Sequence, residues 1–179
     1  MPLFKPRPPE AKDSRAARLI ALTTAGRPRW TPRDYAALAS EGFGKNPIAY
    51  RCVRMIAEAA AAVPLSVFVG GRRADDHPLR KLLLAPNPEQ GGADLMEAFF
   101  GHLQVAGNGY LEAWGEDVPT ELYALRPDRM TVVPGPRGWP LAYDYQAAGR
   151  TARIGRDAGG WLPVLHLKLF NPADDHYGF

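Results

Sequence analysis

The hydrophobic pattern of this 179-residue chain changes its period at one place, the turn Gly107-Asn108-Gly109. Before this turn, apolar residues recur at steps of three and four, which is the period of an amphipathic helix. After it, short apolar runs are separated by proline or glycine, which predicts β-strands. Because helices precede strands along the chain, we expect an α+β fold, in which three N-terminal helices are followed by a mostly antiparallel, strand-rich lobe.

Each of the three predicted helices has a recognisable start. Asn46-Pro47 combines a good N-cap residue with a proline suited to the first turn, and Pro64 ends that helix. Asp75-Asp76-His77-Pro78 starts a second helix over 79–84 in the same manner. A third helix is predicted from Asp94 to about Val105.

One face of the first helix is apolar and is predicted to pack against the core, because its residues recur at helical spacing. Cys52 lies on this face and is the only cysteine, so it is expected to be a buried, inert thiol that forms no disulfide within the chain. We call this face the apolar stripe; it consists of Ile48, Cys52, Met55, Ile56, Ala59 and Val63.

The second half of the chain predicts strands rather than helices. The 18 glycines and 18 prolines make up about a fifth of the residues, well above ordinary usage, which favours short elements and many turns. A further strand is predicted before Gly70-Gly71. The predicted strands are 65–69, 110–114, 121–125, 130–133, 141–145 and 162–170.

Charge is distributed unevenly along the chain. Residues 1–33 hold eight basic and two acidic residues, so the rest of the chain, with a total of +3, carries a net charge of −3. Residues 1–40 are therefore predicted to be a basic, proline-rich and largely flexible arm, and residues 41–179 a folded body. The arm could make only non-specific contacts with phosphates, and the acidic body offers no basic face for reading DNA.

Asp174-Asp175-His176 is an acid–imidazole cluster near the end of the sequence. Two carboxylates and an imidazole can bind a divalent metal or act as acid and base, so a fragment of a metal-dependent nuclease-type enzyme stays open as an alternative, although a solvated loop is the main prediction. A DNA-binding module that uses the basic arm is the other alternative. His102 and His166 lie in apolar surroundings and are predicted to be structural histidines.

Other classes of function lack their sequence signals. The chain contains no phosphate-binding glycine loop, nucleophile elbow or cysteine pair for zinc, so no cofactor is expected. It also contains no apolar run of membrane-spanning length and no secretory signal, which predicts the cytoplasm, or an assembly made there, as its location.

Six segments in the same order resemble the N-terminal part of the portal proteins of long-tailed phages and gene transfer agents. They cover residues 46–179 and are a helix start, a strand, a second helix with its terminating loop, a glycine–asparagine turn, a leucine–proline stretch over 122–127, and a histidine strand with the loop after it. The positions that carry the resemblance are Asn46, Pro47, Val63, Pro64, Leu65, His77, Pro78, Leu79, Pro86, Asn87, Pro88, Gly107, Asn108, Tyr110, His166, Tyr177 and Gly178.

The resemblance implies a structural protein rather than an enzyme. Portal subunits form a ring, usually of about twelve copies, at one capsid vertex of a virion or phage-like particle assembled in the bacterial cytoplasm. The implied partners are other copies of the subunit, the major capsid protein, the packaging ATPase (the terminase large subunit), the head–tail adaptor and double-stranded DNA that passes through without sequence-specific contact. Because family members continue into stem, clip and crown regions, this chain is expected to be the peripheral wing with its N-terminal arm, as a fragment or a truncation.

Overall fold

The computed structural model describes residues 35–115, 118–135 and 139–178. Residues 1–34, which include most of the predicted arm, lie outside the described residues. The sequence assigns residues 35–40 to the arm, whereas in the structure they form helix α1 (Tyr35–Ala37) and the start of a π-helical segment (Leu38–Phe43). A hydrogen bond from this segment joins the hydroxyl of Tyr35 to Nδ1 of His102, over 3.0 Å.

The three predicted helices are present as α2 (Pro47–Ala61), α3 (Pro78–Leu84) and α4 (Gly92–Ala106). The predicted caps start the first two. Oδ1 of Asn46 accepts hydrogen bonds from the backbone N–H groups of Ile48 and Ala49, at 3.0 and 3.2 Å. Nδ1 of His77 accepts from the N–H of Leu79 at 3.1 Å, so this imidazole takes the cap role usually filled by an oxygen.

The prediction that the apolar stripe of α2 faces the core is wrong. Met55 is 53% exposed and Ile48 74% exposed, and Cys52 is exposed as well. Helix α2 packs against α4 through a different side, where Ala57 is buried and Arg54 forms an ion pair with Glu97 at 3.1 Å. Helical periodicity identifies an apolar face of the helix. It does not show whether that face packs against the rest of the same chain or against another protein.

The strands form three antiparallel sheets in the described ranges. A small hairpin turns at Gly70-Gly71, where both residues have positive φ. The other two sheets have three strands each, in the orders β4-β3-β8 and β5-β6-β7. The strands are β1 (Phe68–Val69), β2 (Arg72–Arg73), β3 (Asn108–Trp114), β4 (Glu121–Leu125), β5 (Met130–Pro134), β6 (Pro140–Ala147), β7 (Arg150–Gly155) and β8 (Val164–Lys168).

Strand β7 was not among the predicted strands. It pairs with β6 across the turn Ala148-Gly149, whose two residues both have positive φ, as tight hairpin turns require. Ile154 is its only large apolar residue, so the alternation that reveals a strand is missing. A two-pronged ion pair across the hairpin, from Arg153 to Asp144 at 2.7 and 2.8 Å, connects the two strands instead.

Sheet β4-β3-β8 lies at the centre of the fold because both of its faces are covered, at least in part. On one face, Tyr110 and Val164 pack against Met130, Val132 and Tyr143 of the other three-stranded sheet. On the opposite face, helix α4 covers β3 and β4 through a cluster of three buried residues and their neighbours. These three buried residues are Leu95, Phe99 and Leu111.

Candidate functional site: the Asn108 junction

Several positions that carry the family resemblance lie far apart in the sequence but meet where helix α4 ends and strand β3 begins. Five of them belong to three separate segments: the turn after α4, the edge strand β8 and the loop that follows it. We call this cluster the Asn108 junction; it consists of Asn108, Tyr110, His166, Tyr177 and Gly178.

Asn108 is the centre of the junction. Its side chain is almost fully buried, so each of its polar atoms needs a partner. Nδ2 donates to the carbonyl of Ala106 at 2.8 Å, and Oδ1 accepts from the backbone N–H of Gly178 at 2.8 Å. Oδ1 also lies 3.1 Å from Nε2 of His166. One amide therefore joins the end of α4, strand β8 and the loop after it.

Two glycines allow this close approach. Gly107 has a φ of 68°, the left-handed conformation that commonly ends a helix, and its carbonyl accepts from the N–H of Leu169 at 2.8 Å. A Cβ on Gly178 would overlap that same carbonyl oxygen of Gly107, so a larger residue there would push the loop away from the junction. The requirement for glycine at these positions is therefore steric.

His166 is held as a neutral ring. Burial, with help from nearby Lys168 and His176, lowers the pKa of His166 to about 4. Because Oδ1 of Asn108 can only accept, Nε2 of His166 carries the proton, and Nδ1 accepts from the hydroxyl of Tyr143 over 3.4 Å. The ring also stacks on Tyr110, with 4.2 Å between ring centroids, which agrees with the prediction of a structural histidine.

Tyr177 connects the junction to the other three-stranded sheet. Its hydroxyl accepts a hydrogen bond from the backbone N–H of Val132 at 2.9 Å, across 45 positions of sequence. Burial also raises the pKa of Tyr110, the tyrosine in the middle of the junction. Tyr110 therefore stays protonated at neutral pH and serves packing, while Tyr177 links the two sheets through its hydroxyl.

The Asp174-Asp175-His176 segment forms a turn rather than a ligand set. Oδ1 of Asp174 accepts from the backbone N–H groups of His176 and Tyr177, at 2.7 and 3.0 Å, and these two bonds lower the pKa of Asp174. Across the described ranges, no group of three or more His, Cys, Asp or Glu side chains is arranged to hold a metal ion. The geometry gives the carboxylate of Asp174 a structural role.

His102, the other predicted structural histidine, lies on α4. Its Nδ1 is hydrogen-bonded to the hydroxyl of Tyr35. Burial, reinforced by the positive charge of Arg126, lowers the pKa of His102. It is therefore a second largely buried, hydrogen-bonded imidazole in the described body.

The Pro86-Asn87-Pro88 segment has a role that sequence reasoning missed. It was predicted only to terminate a helix, but it covers the outer edge of strand β4. The N–H of Leu122 donates to the carbonyl of Pro86 at 2.7 Å, and Nδ2 of Asn87 donates to the carbonyl of Leu122 at 2.9 Å. To predict this role, one would need to know that β4 lies at the edge of its sheet, and only the sheet order reveals that position.

Nothing in the junction combines a nucleophile with a base that could activate it. Its imidazole is neutral and its amide hydrogen-bonds to three segments, an arrangement suited to holding these segments together. Larger exposed apolar residues lie elsewhere, on the apolar stripe of α2 and on the segment that includes Leu165, Leu167 and Phe170. Surfaces of this kind are typical of contacts between proteins.

None of the helices in the described part of the chain has the length and apolar character needed to cross a bilayer.

Comparison with known proteins gives one family and a consistent set of structures. Residues 47–179 match the phage portal protein family. Two curated relatives, each described as an uncharacterized protein, come from Rickettsia bellii (strain RML369-C) and Rickettsia felis (strain ATCC VR-1525 / URRWXCal2). They are 35% identical over 141 residues and 33% identical over 142 residues, and in both cases the match covers 77% of this chain and 36% of the relative.

Three similar solved structures are gene transfer agent (GTA) assemblies. A chain in the neck of an empty GTA particle, computed with C6 symmetry, is 48% identical with a TM-score of 0.76, and the match covers 92% of this chain and 45% of that one. A chain in the virion of a native GTA particle is 45% identical (TM-score 0.71; 93% and 44% covered). A chain in the neck of a native GTA particle, computed with C12 symmetry, is 44% identical (TM-score 0.70; 92% and 44% covered). The present chain thus spans less than half the length of these relatives.

Proposed function

The chain belongs to the phage portal protein family, and from this membership we propose that it is a structural subunit of the portal ring of a phage or gene transfer particle. The observation that carries the proposal is the match over 92% of the chain, at 48% identity, to a chain in the neck of a GTA particle. The ring would occupy one vertex of the capsid and serve DNA packaging and ejection.

A ring places a physical demand on each subunit. Its contacts are head-to-tail, so every copy presents two different surfaces that are covered only in the assembly. The exposed apolar stripe of α2 supports this reading, because Met55, Ile56 and Val63 are each about half exposed or more. We propose twelve copies, because one of the similar neck structures was computed with C12 symmetry.

The partners follow from the same role. We propose that the ring contacts the major capsid protein, the packaging ATPase and the head–tail adaptor, and that double-stranded DNA passes through it without base-specific contact. The net charge of −3 outside residues 1–33 suits such a path, since each contact between a cation and a phosphate would add salt-dependent affinity and retard the DNA.

We further propose that residues 41–179 form a wing-like domain and residues 1–40 an arm. The motif positions would hold the wing together, since the Asn108 junction joins three segments of it. A structural role rather than an enzymatic one fits the neutral imidazole of His166 and the amide of Asn108, which hydrogen-bonds to three segments.

Localisation in purified particles tests the proposal. Particles from producing cells would be labelled with an antibody against residues 41–179 and imaged by electron microscopy. We expect label at a single vertex, and a ring of twelve copies in averaged images of that vertex. Antibody against the major capsid protein, which should label the whole shell, is the control.

Two results would contradict the proposal. One is the absence of the protein from particles that package DNA normally; the other is label spread evenly over the shell.

A nuclease assay with a divalent metal present addresses the enzyme alternative. Activity that disappears when Asp174, Asp175 and His176 are all replaced by alanine would favour that alternative.

A further inference from the structure

The two edges of sheet β4-β3-β8 differ in whether other residues hydrogen-bond to their outward backbone groups. At the β4 edge, the outward N–H and C=O of Leu122 are bonded by Pro86 and Asn87. At the other edge, strand β8 has no strand beyond it in the described sheet. An uncovered strand edge is a template for pairing with another chain.

The pairing of β8 with β3 shows which of its groups are free. Two hydrogen bonds bracket the pair, from the N–H of Leu169 to the carbonyl of Gly107 and from the N–H of Ala113 to the carbonyl of Pro163, at 2.8 and 2.9 Å. Since bonded positions alternate in antiparallel pairs, the backbone of Leu165 and Leu167 bonds to β3.

The alternate residues of β8 therefore present their backbone groups outward. These residues are Val164, His166 and Lys168, which face β3 only as non-bonded pairs. Their backbone N–H and C=O groups have no hydrogen-bond partner among the residues that the structure describes. With a rise of about 3.4 Å per residue, they offer three pairing positions along roughly 14 Å.

A cleft of about 650 Å³ runs along this strand. Strand β6 of the second three-stranded sheet and the loops beside it also line the cleft. Trp139 is one of the lining residues and is 76% exposed. The residues that line the cleft outside β8 include Trp139, Pro140, Tyr143, Arg156, Leu162 and His176.

Positive charge in the cleft is not neutralised by ion pairs. Arg156 donates to the carbonyls of Gly160 and Pro140, at 2.7 and 3.3 Å, and the ammonium of Lys168 donates to the backbone carbonyl of Asp175. Neither cation forms an ion pair with a carboxylate in the described ranges, although Asp175 also lines the cleft and the charge of Lys168 helps to lower the pKa of nearby Asp174. Carbonyls satisfy donors without removing the charge, so an acidic group from outside would be attracted.

We propose that this cleft binds an extended acidic segment of a partner protein, which adds as a further strand to β8 and places a carboxylate near Arg156 and Lys168. Three outward backbone positions favour a polypeptide, because a nucleic acid has no alternating N–H and C=O groups to pair with them. The site lies on the described body and does not depend on the copy number of a ring.

The test uses the whole 179-residue chain and a library of seven-residue peptides in which glutamate alternates with valine or threonine. Binding would be followed by the fluorescence of the tryptophans and by NMR shifts of the β8 amides. The best binder would then be N-methylated at its even or at its odd positions. Strand addition uses only alternate N–H groups, so we expect one methylated series to lose binding at least tenfold and the other to keep it.

Charge variants test whether a carboxylate of the bound segment lies near Arg156 and Lys168. Lys168→Gln and Arg156→Gln should each weaken the best peptide two- to fivefold, the range expected for exposed charge pairs. Arg150→Gln, on β7 and outside the cleft lining, is the matched control and should leave affinity unchanged. Lys168→Pro should weaken binding more than Lys168→Gln, because it also removes an outward N–H while sparing the bonds to β3.

Several outcomes would overturn the inference: no acidic peptide binds, both methylated series bind equally, or a duplex oligonucleotide of the same charge competes for the cleft and shows the same dependence on Lys168. None of these would bear on whether the protein occupies a capsid vertex. Failure of the strand-addition site and failure of the portal assignment are thus separate results.

Discussion

Asn108 is the residue at which three segments of the chain meet, and both its side-chain oxygen and its side-chain nitrogen hydrogen-bond to them. Its amide bonds the end of α4, the loop at Gly178 and the ring of His166. At the scale of single residues, such a buried polar group matters because the loss of one partner leaves others unsatisfied.

Asn108→Ala should lower the free energy of unfolding by about 2–4 kcal/mol, because it leaves buried groups of Ala106 and Gly178 without partners. Urea denaturation of the 179-residue chain measures this. Asn46→Ala, which removes another amide but only a helix cap, is the control and should cost about 1 kcal/mol. A cost at Asn108 no larger than at Asn46 would contradict the role assigned to the junction.

His166 should make the fold sensitive to mild acid. Its pKa is about 4 in the folded chain against an ordinary value of 6.5, so the unfolded chain takes up the proton first. Stability is therefore complete above pH 6.5, falls as the pH decreases toward 4, and loses at most roughly 3 kcal/mol, less after solvent screening of a partly exposed ring.

Denaturation curves between pH 4 and pH 7 measure this loss. His166→Gln should flatten part of the slope, and the lowered pKa of His102 should account for some of what remains. Asn46→Ala, which removes a helix cap but no titratable group, serves as the comparison and should leave the slope unchanged. An unchanged slope in the His166 variant would show that this ring is not protonated on unfolding.

At the scale of elements, helix α2 has two sides with different partners. Ala57 and Arg54 face α4, while the apolar stripe is left exposed in the described body. A helix that exposes an apolar face is typically covered by another protein surface. This division predicts which substitutions change folding and which change assembly.

Met55→Lys together with Ile56→Lys should change the free energy of unfolding by less than about 0.5 kcal/mol, as exposed substitutions usually do. The same pair should reduce incorporation into particles severalfold, which immunoblots of purified particles can measure. Ala57→Leu, which forces a larger side chain between α2 and α4, should instead destabilise the chain by about 1–3 kcal/mol. A large loss of stability from the lysine pair would mean that the stripe is a core surface after all.

At the scale of the whole molecule, the charge of the chain separates into a basic N-terminal segment and an acidic remainder. We expect residues 1–33, with a net charge of +6, to contact a neighbouring subunit or the capsid interior. Such contacts would be electrostatic and would weaken as salt increases.

Deletion of residues 1–33 should reduce the yield of assembled rings or procapsids and leave the melting temperature of the remaining body within a few degrees. Sucrose-gradient sedimentation measures assembly, and a variant with the six most N-terminal arginines and lysines replaced by glutamine separates charge from length. Normal assembly of the truncated protein would remove any role for the segment.

Local sequence rules predicted the elements well where one residue controls the backbone. Asn46 and His77 marked helix starts, Gly107 marked a helix end, and the strand 121–125 was predicted with its exact bounds. Strand β7 was not predicted, because a hairpin that is stabilised by a turn and by an Arg153–Asp144 ion pair needs no alternation of apolar residues. The junction could be predicted only as a set of motif positions, since its geometry depends on contacts between residues 58 and 70 positions apart.

The sequence by itself determined the α+β class, the starts of the helices, the division of charge and the order of motifs that identifies the portal family, because each of these depends on local or compositional properties of the chain. Only the tertiary structure decided that the apolar stripe is exposed in the described body, that Asn108 joins three segments, and that Asn87 covers one sheet edge while no described strand pairs with the other. These features depend on which distant segments pack together, and no local periodicity encodes that choice.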